Sequence, residues 1–212
     1  MGINIGINIG IKKQVMKRKI MLISVCFIFC LVFPLQVHAE KPMEAVQSRI
    51  NNLLDVLKDP SLKAESKSEI KEEKIWSIVD SIFDYKELSR RSLGRNWRRL
   101  NPDQQKEFTD LFRKLLGKVY MGRLMESTAP KVVFMKEIIF SKNKAEVQSK
   151  VITKSNEIPM FYRMILHNDS WKVYDVSIEG VSLIRNYRSQ FKSILKDKTP
   201  SDLLRILRKK VG

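Results

Sequence analysis

Acid–base or nucleophilic chemistry in this chain would have to come from few residues. It has two histidines and two cysteines. Cys26 and Cys30 fall in an apolar leader, so they offer neither a thiolate zinc site nor a nucleophile once the leader is removed. His38 leaves with them. His167 alone remains for a His-based triad, and it sits beside an expected turn. Gly117–Gly122 matches the opening of a phosphate-binding loop, but Arg123 and Leu124 stand where Lys and Ser or Thr are needed. Asp175 and Glu179 share one strand face about 13 Å apart, too far for the ~5–9.5 Å of a paired-carboxylate hydrolase. Neither a catalytic residue nor a metal site is expected, and the chain does not read as an enzyme. Asp175, Glu179, Ser182, Asn186 and Arg188 form a polar set among apolar residues in Trp171–Phe191. Asp175 or Glu179 is expected to pair with Arg185 or Arg188 and fix a strand–helix junction.

The leader is read from its three parts. Lys12, Lys13, Lys17, Arg18 and Lys19 are a positive n-region, residues 20–35 an apolar run, and Val37-His38-Ala39 a cleavage site before Glu40. Residues 1–39 are thus expected to be a signal peptide. The Gly-Ile-Asn-Ile repeat of residues 2–9 makes Met16 a plausible true start. Residues 40–212 then form a single domain, large enough for a substantial core. Cleavage removes five cations and no acids, so the formal charge falls from +17 to +12. An exported protein has little reason to meet nucleic acid. Its basic surface suits anionic headgroups or acidic partners, or serves solubility alone.

The positioning elements follow from periodicity. Met43, Val46, Ile50, Leu53, Leu54 and Leu57 keep helical spacing until Asp59-Pro60. A second helix carries Ile75, Ile78, Val79, Ile82 and Phe83. Asp84 caps a third, which Gly94 ends. Asn101-Pro102 starts the longest, which carries Phe108, Leu111, Phe112, Leu115, Leu116, Val119 and Tyr120. The period then changes to two, with strands at about 131–141, 144–153, 158–167 and 170–179 and short turns between. Helices over about 182–197 and 200–210 close the chain. Helices, a four-stranded antiparallel curved sheet and helices again make an α+β fold.

The apolar volume along the strands is uneven. Ala145, Val147, Ser149, Val151 and Thr153 form a small-residue face. Ile158, Met160, Tyr162, Met164 and Leu166 form a larger one. Parity switches in the fourth strand between Val173 and Tyr174, so a bulge there or burial of both faces is expected. Small residues beneath long apolar helices can leave a cavity or receive Phe and Leu side chains as ordinary core. Met121, Met125, Met160 and Met164 suit variable contents.

Trp171-Lys172-Val173-Tyr174-Asp175-Val176, Ile178-Glu179-Gly180-Val181-Ser182-Leu183, Asn186-Tyr187-Arg188 and Gln190-Phe191 closely resemble the C-terminal block of the MlaC family. Phe83-Asp84, Leu93-Gly94, Trp97, Phe108, Phe112, Leu115, Leu116 and Tyr120 match a second block. Asp202-Leu203-Leu204 and Leu207 match the end of the chain. Val119 stands where many members have Thr. The resemblance spans essentially the whole chain after the leader.

It implies a cone related to the nuclear-transport-factor-2-like fold, enclosing an apolar cavity that holds phospholipid as cargo, with no cofactor. It also implies a periplasmic monomer shuttling lipid between an outer-membrane lipoprotein–porin complex and an inner-membrane ABC transporter complex, which maintains outer-membrane lipid asymmetry. With that cavity, parity and helical phase give Leu111, Leu115, Val119, Val147, Val151, Met160, Tyr162, Met164, Tyr174 and Val176 as its lining. The other readings are a carrier of a sterol-like lipid or quinone, a ligand-free interaction protein, and an enzyme on the same cone.

Overall fold

The computed structural model describes residues 40–212, apart from Thr128 and Lys154. The expected leader lies outside the described residues. Four helices come first: α1 (Pro42–Lys58), α2 (Ser68–Ile82), α3 (Tyr85–Leu93) and α4 (Pro102–Met125). Strands β1 (Lys131–Ser141), β2 (Lys144–Ile152), β3 (Glu157–His167), β4 (Ser170–Ile178) and β5 (Val181–Ser182) follow. Helices α5 (Leu183–Asp197) and α6 (Pro200–Val211) end the chain. Sheet order is sequence order, antiparallel throughout. The sheet has five strands rather than the four expected. Two residues are too short for β5 to show alternation, and it exists only as the return of a tight turn. Glu179 (φ 49°) and Gly180 (φ 82°) both take left-handed backbone there, which suits the twist of a two-residue hairpin.

Local chemistry sets the helix ends. The Asp84 carboxylate accepts the Glu87 N–H at 2.8 Å, and Gly94 (φ 57°) ends α3. Asn101 and Gln104 cap each other reciprocally at 2.9 and 3.1 Å, with Pro102 opening α4. The Gly117 and Gly122 of the apparent phosphate loop lie inside α4. A Cβ on Gly117 would stand 2.1 Å from the Trp76 ring, so glycine admits that indole between α2 and α4. The Arg113 guanidinium stacks on the same ring at 4.0 Å and is held by Asp80 at 2.7–2.8 Å.

Helices cover the sheet from both sides. Helix α1 lies across one face, against β1, β2 and β4. On the other face, Ile165 and Tyr174 join the core formed by α3, α4, α5 and α6. That core centres on aromatic rings: Phe112 lies 4.9 Å from Tyr187 and 5.2 Å from Phe191, edge-on. The change of parity in β4 is a register shift opposite Arg163/Met164. It turns Val173 and Val176 to the α1 side and Tyr174 to the helical core. The bulge and the burial of both faces therefore occur together.

Candidate functional site

The sheet face under α1 is built in cross-strand rows. One row joins Ala145, Met164 and Val173, the next Val147, Tyr162 and Val176. A third joins Phe134, Ser149, Met160 and Ile178, and the last Val132, Val151 and Ile158. Along β2, β3 and β4 the apolar side chains grow more exposed in this order, around the fully buried Ser149, while Ile139 on the edge strand beside Ala145 is 54% exposed. Ala145, Val147, Met164 and Val173 are sealed beneath Ala45 and Val46 of α1. Val132, Phe134, Val151, Ile158 and Met160 are only half-buried, and Ile178 is 41% exposed. The result is an apolar face closed at one end and open at the other. Leu54 packs against both this cluster and the one formed by Leu57, Ile75 and Met121, so α1 links the sheet face to the contact between α2 and α4.

Two polar devices hold this arrangement. The Glu137 carboxylate, on the same face as Val147, accepts the Met43 N–H at 2.7 Å and so fastens the start of α1 to the edge strand. Inside, the fully buried Ser149 hydroxyl lies 3.4 Å from the Tyr162 hydroxyl, which lies 3.8 Å from the Met160 sulfur. Burial pushes the Tyr162 phenol up from its ordinary value, so it stays neutral at physiological pH. The face can hold long apolar groups and offers one neutral hydroxyl pair in its interior.

Six of the residues named from sequence meet here: Val147, Val151, Met160, Tyr162, Met164 and Val176. Four do not. Leu111 and Leu115 point into the helical core, because α4 has neighbours on several sides and periodicity does not say which side meets the sheet. Val119 is 44% exposed on α4. Tyr174 lies on the opposite sheet face under the Arg91 guanidinium, 4.1 Å from its ring centroid, because the bulge separates it from Val176. Sequence reasoning missed Ala45, which is too small to register as core, and the β1 residues Val132 and Phe134.

The polar junction needs a correction. Asp175 is buried, but it pairs with neither Arg185 nor Arg188. Its carboxylate accepts the Ser182 hydroxyl at 2.7 Å and the Ile184 N–H at 3.0 Å. Ser182 in turn caps α5 by accepting the Arg185 N–H at 3.1 Å. Arg188 donates from Nε to the Arg91 carbonyl at 2.9 Å, joining α5 to α3. Glu179 is exposed at the turn. The junction is thus fixed by a buried carboxylate serving one free N–H of a helix start and the hydroxyl that caps it, which satisfies donors an ion pair would leave unmet.

His167 Nδ1 lies 2.9 Å from the Asp84 carboxylate, a contact not foreseen from sequence. The imidazole is exposed at the β3–β4 turn, away from the apolar face, and Asp84 is already the cap of α3. Among the described residues, no three His, Cys, Asp or Glu side chains group as a metal site.

A curved antiparallel sheet clasped by helices, with an apolar face sealed at one end and open at the other, defines a helix-covered α+β protein suited to holding an apolar ligand. The MlaC protein family model matches residues 47–209, and the chain belongs to that family. The toluene tolerance protein ttg2D of Pseudomonas putida is 23% identical over 159 residues, 74% of each chain. A phospholipid-binding protein of Ralstonia solanacearum, solved in complex with a phospholipid, superposes with a TM-score of 0.70. It is 25% identical, and the match covers 80% of this chain and 96% of that one.

Proposed function

We propose that this protein is a phospholipid carrier whose acyl chains lie along the apolar sheet face, entering at the open end beside Val151, Ile158 and Met160. The likeness to a solved phospholipid complex over 96% of that protein's length carries the reading. The burial gradient of the face supports it independently.

The carrier is exported to the periplasm, its leader removed before Glu40. It exchanges lipid with an outer-membrane lipoprotein–porin complex and an inner-membrane ABC transporter complex, and so maintains outer-membrane lipid asymmetry. Each methylene moved from lipid to water costs about 0.8 kcal/mol, so a two-chain lipid needs roughly 20–25 kcal/mol of shelter to cross water. A sheet face that replaces bilayer contacts supplies most of it. The carrier must not bind so tightly that release fails, so the energy for directed transfer comes from a partner. Asymmetry maintenance rests on the family resemblance alone.

Native mass spectrometry of residues 40–212, with lipid extraction from the same sample, tests the proposal. Bound masses that resolve into phospholipids are expected. A bound quinone or sterol-like species would reassign the cargo. A protein that stays empty after incubation with phospholipid vesicles would overturn the carrier reading in favour of an interaction protein.

A further inference from the structure

The sequence leaves a large positive charge unassigned, and the structure concentrates part of it. Residues 85–100 and 183–196 hold ten Lys and Arg side chains and one acid, Glu87. Arg90 and Arg91 take both oxygens of Glu87 at 2.6–2.7 Å, so that acid is occupied. Arg95, Arg98, Arg99, Arg185, Arg188, Lys192 and Lys196 have no carboxylate within 4.0 Å among the described residues.

These seven cations are neighbours. At about 100° per residue, Arg185, Arg188, Lys192 and Lys196 fall within an arc of about 80° on α5, flanking the arc of the buried Ile184, Tyr187, Phe191 and Leu195 and centred about 100° from it. Arg188 reaches across to the Arg91 carbonyl, which brings the end of α3 beside this stripe. The turn that follows, residues 94–99, borders it directly: Asn96 shares a shallow surface groove with Ser189, Lys192, Ser193, Leu195 and Lys196. Arg95, Arg98 and Arg99 stand exposed on that turn.

We propose that this face, formed by α5 and residues 94–99, docks on the surface of an anionic lipid bilayer. The chemistry of the patch selects that partner over an acidic protein. Protein interfaces are built round aromatic and apolar anchors; Arg is common in them and Lys is not, so the absence of an exposed anchor is what separates this patch from them. Here Lys and Arg surround two serines, an asparagine and the edge of Leu195, while Ile184, Tyr187 and Phe191 are turned inward, so no aromatic anchor stands on the face. Cations with no carboxylate partner suit a fluid array of anionic headgroups, where each adds its share of attraction without a fixed geometry. The patch is also separate from the cargo face: α5 packs on α3 and on β4, while α1 covers the apolar rows. Docking would therefore persist with or without cargo.

Co-sedimentation of residues 40–212, which contain every described element, tests this. Vesicles of phosphatidylcholine alone are compared with vesicles containing about 30% phosphatidylglycerol, at about 50 mM salt to limit screening. Binding is expected only to the anionic vesicles. Lys192→Ala/Lys196→Ala should weaken it roughly tenfold or more, whereas Lys142→Ala/Lys144→Ala, with the same loss of charge at the β1–β2 turn, should change it little. Neither the Lys192 nor the Lys196 side chain makes a hydrogen bond or ion pair among the described residues, so the patch variant should melt like the parent. Equal weakening by both pairs would reduce the effect to net charge and overturn the proposal, as would equal binding to both vesicle types or to neither. Tighter binding to soluble polyglutamate than to anionic vesicles would overturn it in favour of an acidic protein partner. Extracted lipid from the same variants reports the cargo separately, so docking and carrying can fail independently.

Discussion

Replacing Val151 with Phe probes the apolar face where it opens. Val151 lies between Val132 and Ile158 in the outermost row, half-buried and pointing to the α1 side. The change adds four carbons to a strand position where an aromatic residue is well tolerated. If an acyl chain lies along this row, the ring takes the place of about four methylenes. At about 0.8 kcal/mol each, that removes roughly 3 kcal/mol of cargo affinity, about a 200-fold loss. The lipid-free protein should keep its melting temperature or gain slightly, because the ring fills space rather than crowding a packed core. If Val151 instead belongs to an ordinary core, overpacking costs about 1–3 kcal/mol, and the lipid-free melting point falls by roughly 2–12 °C. The assay is thermal unfolding of the delipidated variant beside lipid uptake from vesicles. A lower lipid-free melting temperature with unchanged uptake would refute the assignment of this row to cargo.

Three further outcomes concern the ends and contacts of the helices. Hydrogen bonds from Arg90 hold Glu87 at a pKa of about 2 against its burial, with Arg91 adding to the effect. Its contribution is fully present above pH ~4.5 and is lost as pH falls towards 2. It is on the order of 2–3 kcal/mol, reduced because Arg90 is half exposed. Glu87→Gln should therefore be less stable than the parent at pH 7 and approach it near pH 2.5 in chemical unfolding; a constant gap across that range would exclude the assignment. Gly117→Ala should drive a methyl into the Trp76 indole and lower the melting temperature by several degrees, read by calorimetry; an unchanged melt would mean the ring moves freely. Asp175→Ala should cost about 1–3 kcal/mol by stranding the Ile184 N–H and the Ser182 hydroxyl, while Arg188→Ala should cost under about 1 kcal/mol. The reverse order in urea titrations would restore an ion pair at the junction.

The order and type of the elements were legible in the sequence because each signal is local. Asp84, Asn101-Pro102 and Gly94 punctuate helices by their own backbone chemistry. The change from helical period to alternation at residue 131 marks the sheet, and its four long strands lie within one residue of where alternation puts them. The parity break at Val173–Tyr174 announced the bulge.

What the elements face was decided only by the tertiary structure. The stripe of Leu111 and Leu115 looks the same whether it meets a sheet or three helices, because periodicity reports burial and not the neighbour. The bulge parts Tyr174 from Val176, although both are apolar and two residues apart. Asp175 took the Ile184 N–H and the Ser182 hydroxyl rather than an arginine because it is buried at a helix start, where unmet donors are close and costly. Ala45 became a sealed wall through the close approach of α1, and Arg188 found the Arg91 carbonyl 97 residues away. Such partners are chosen by long-range packing, which no local pattern of residues encodes.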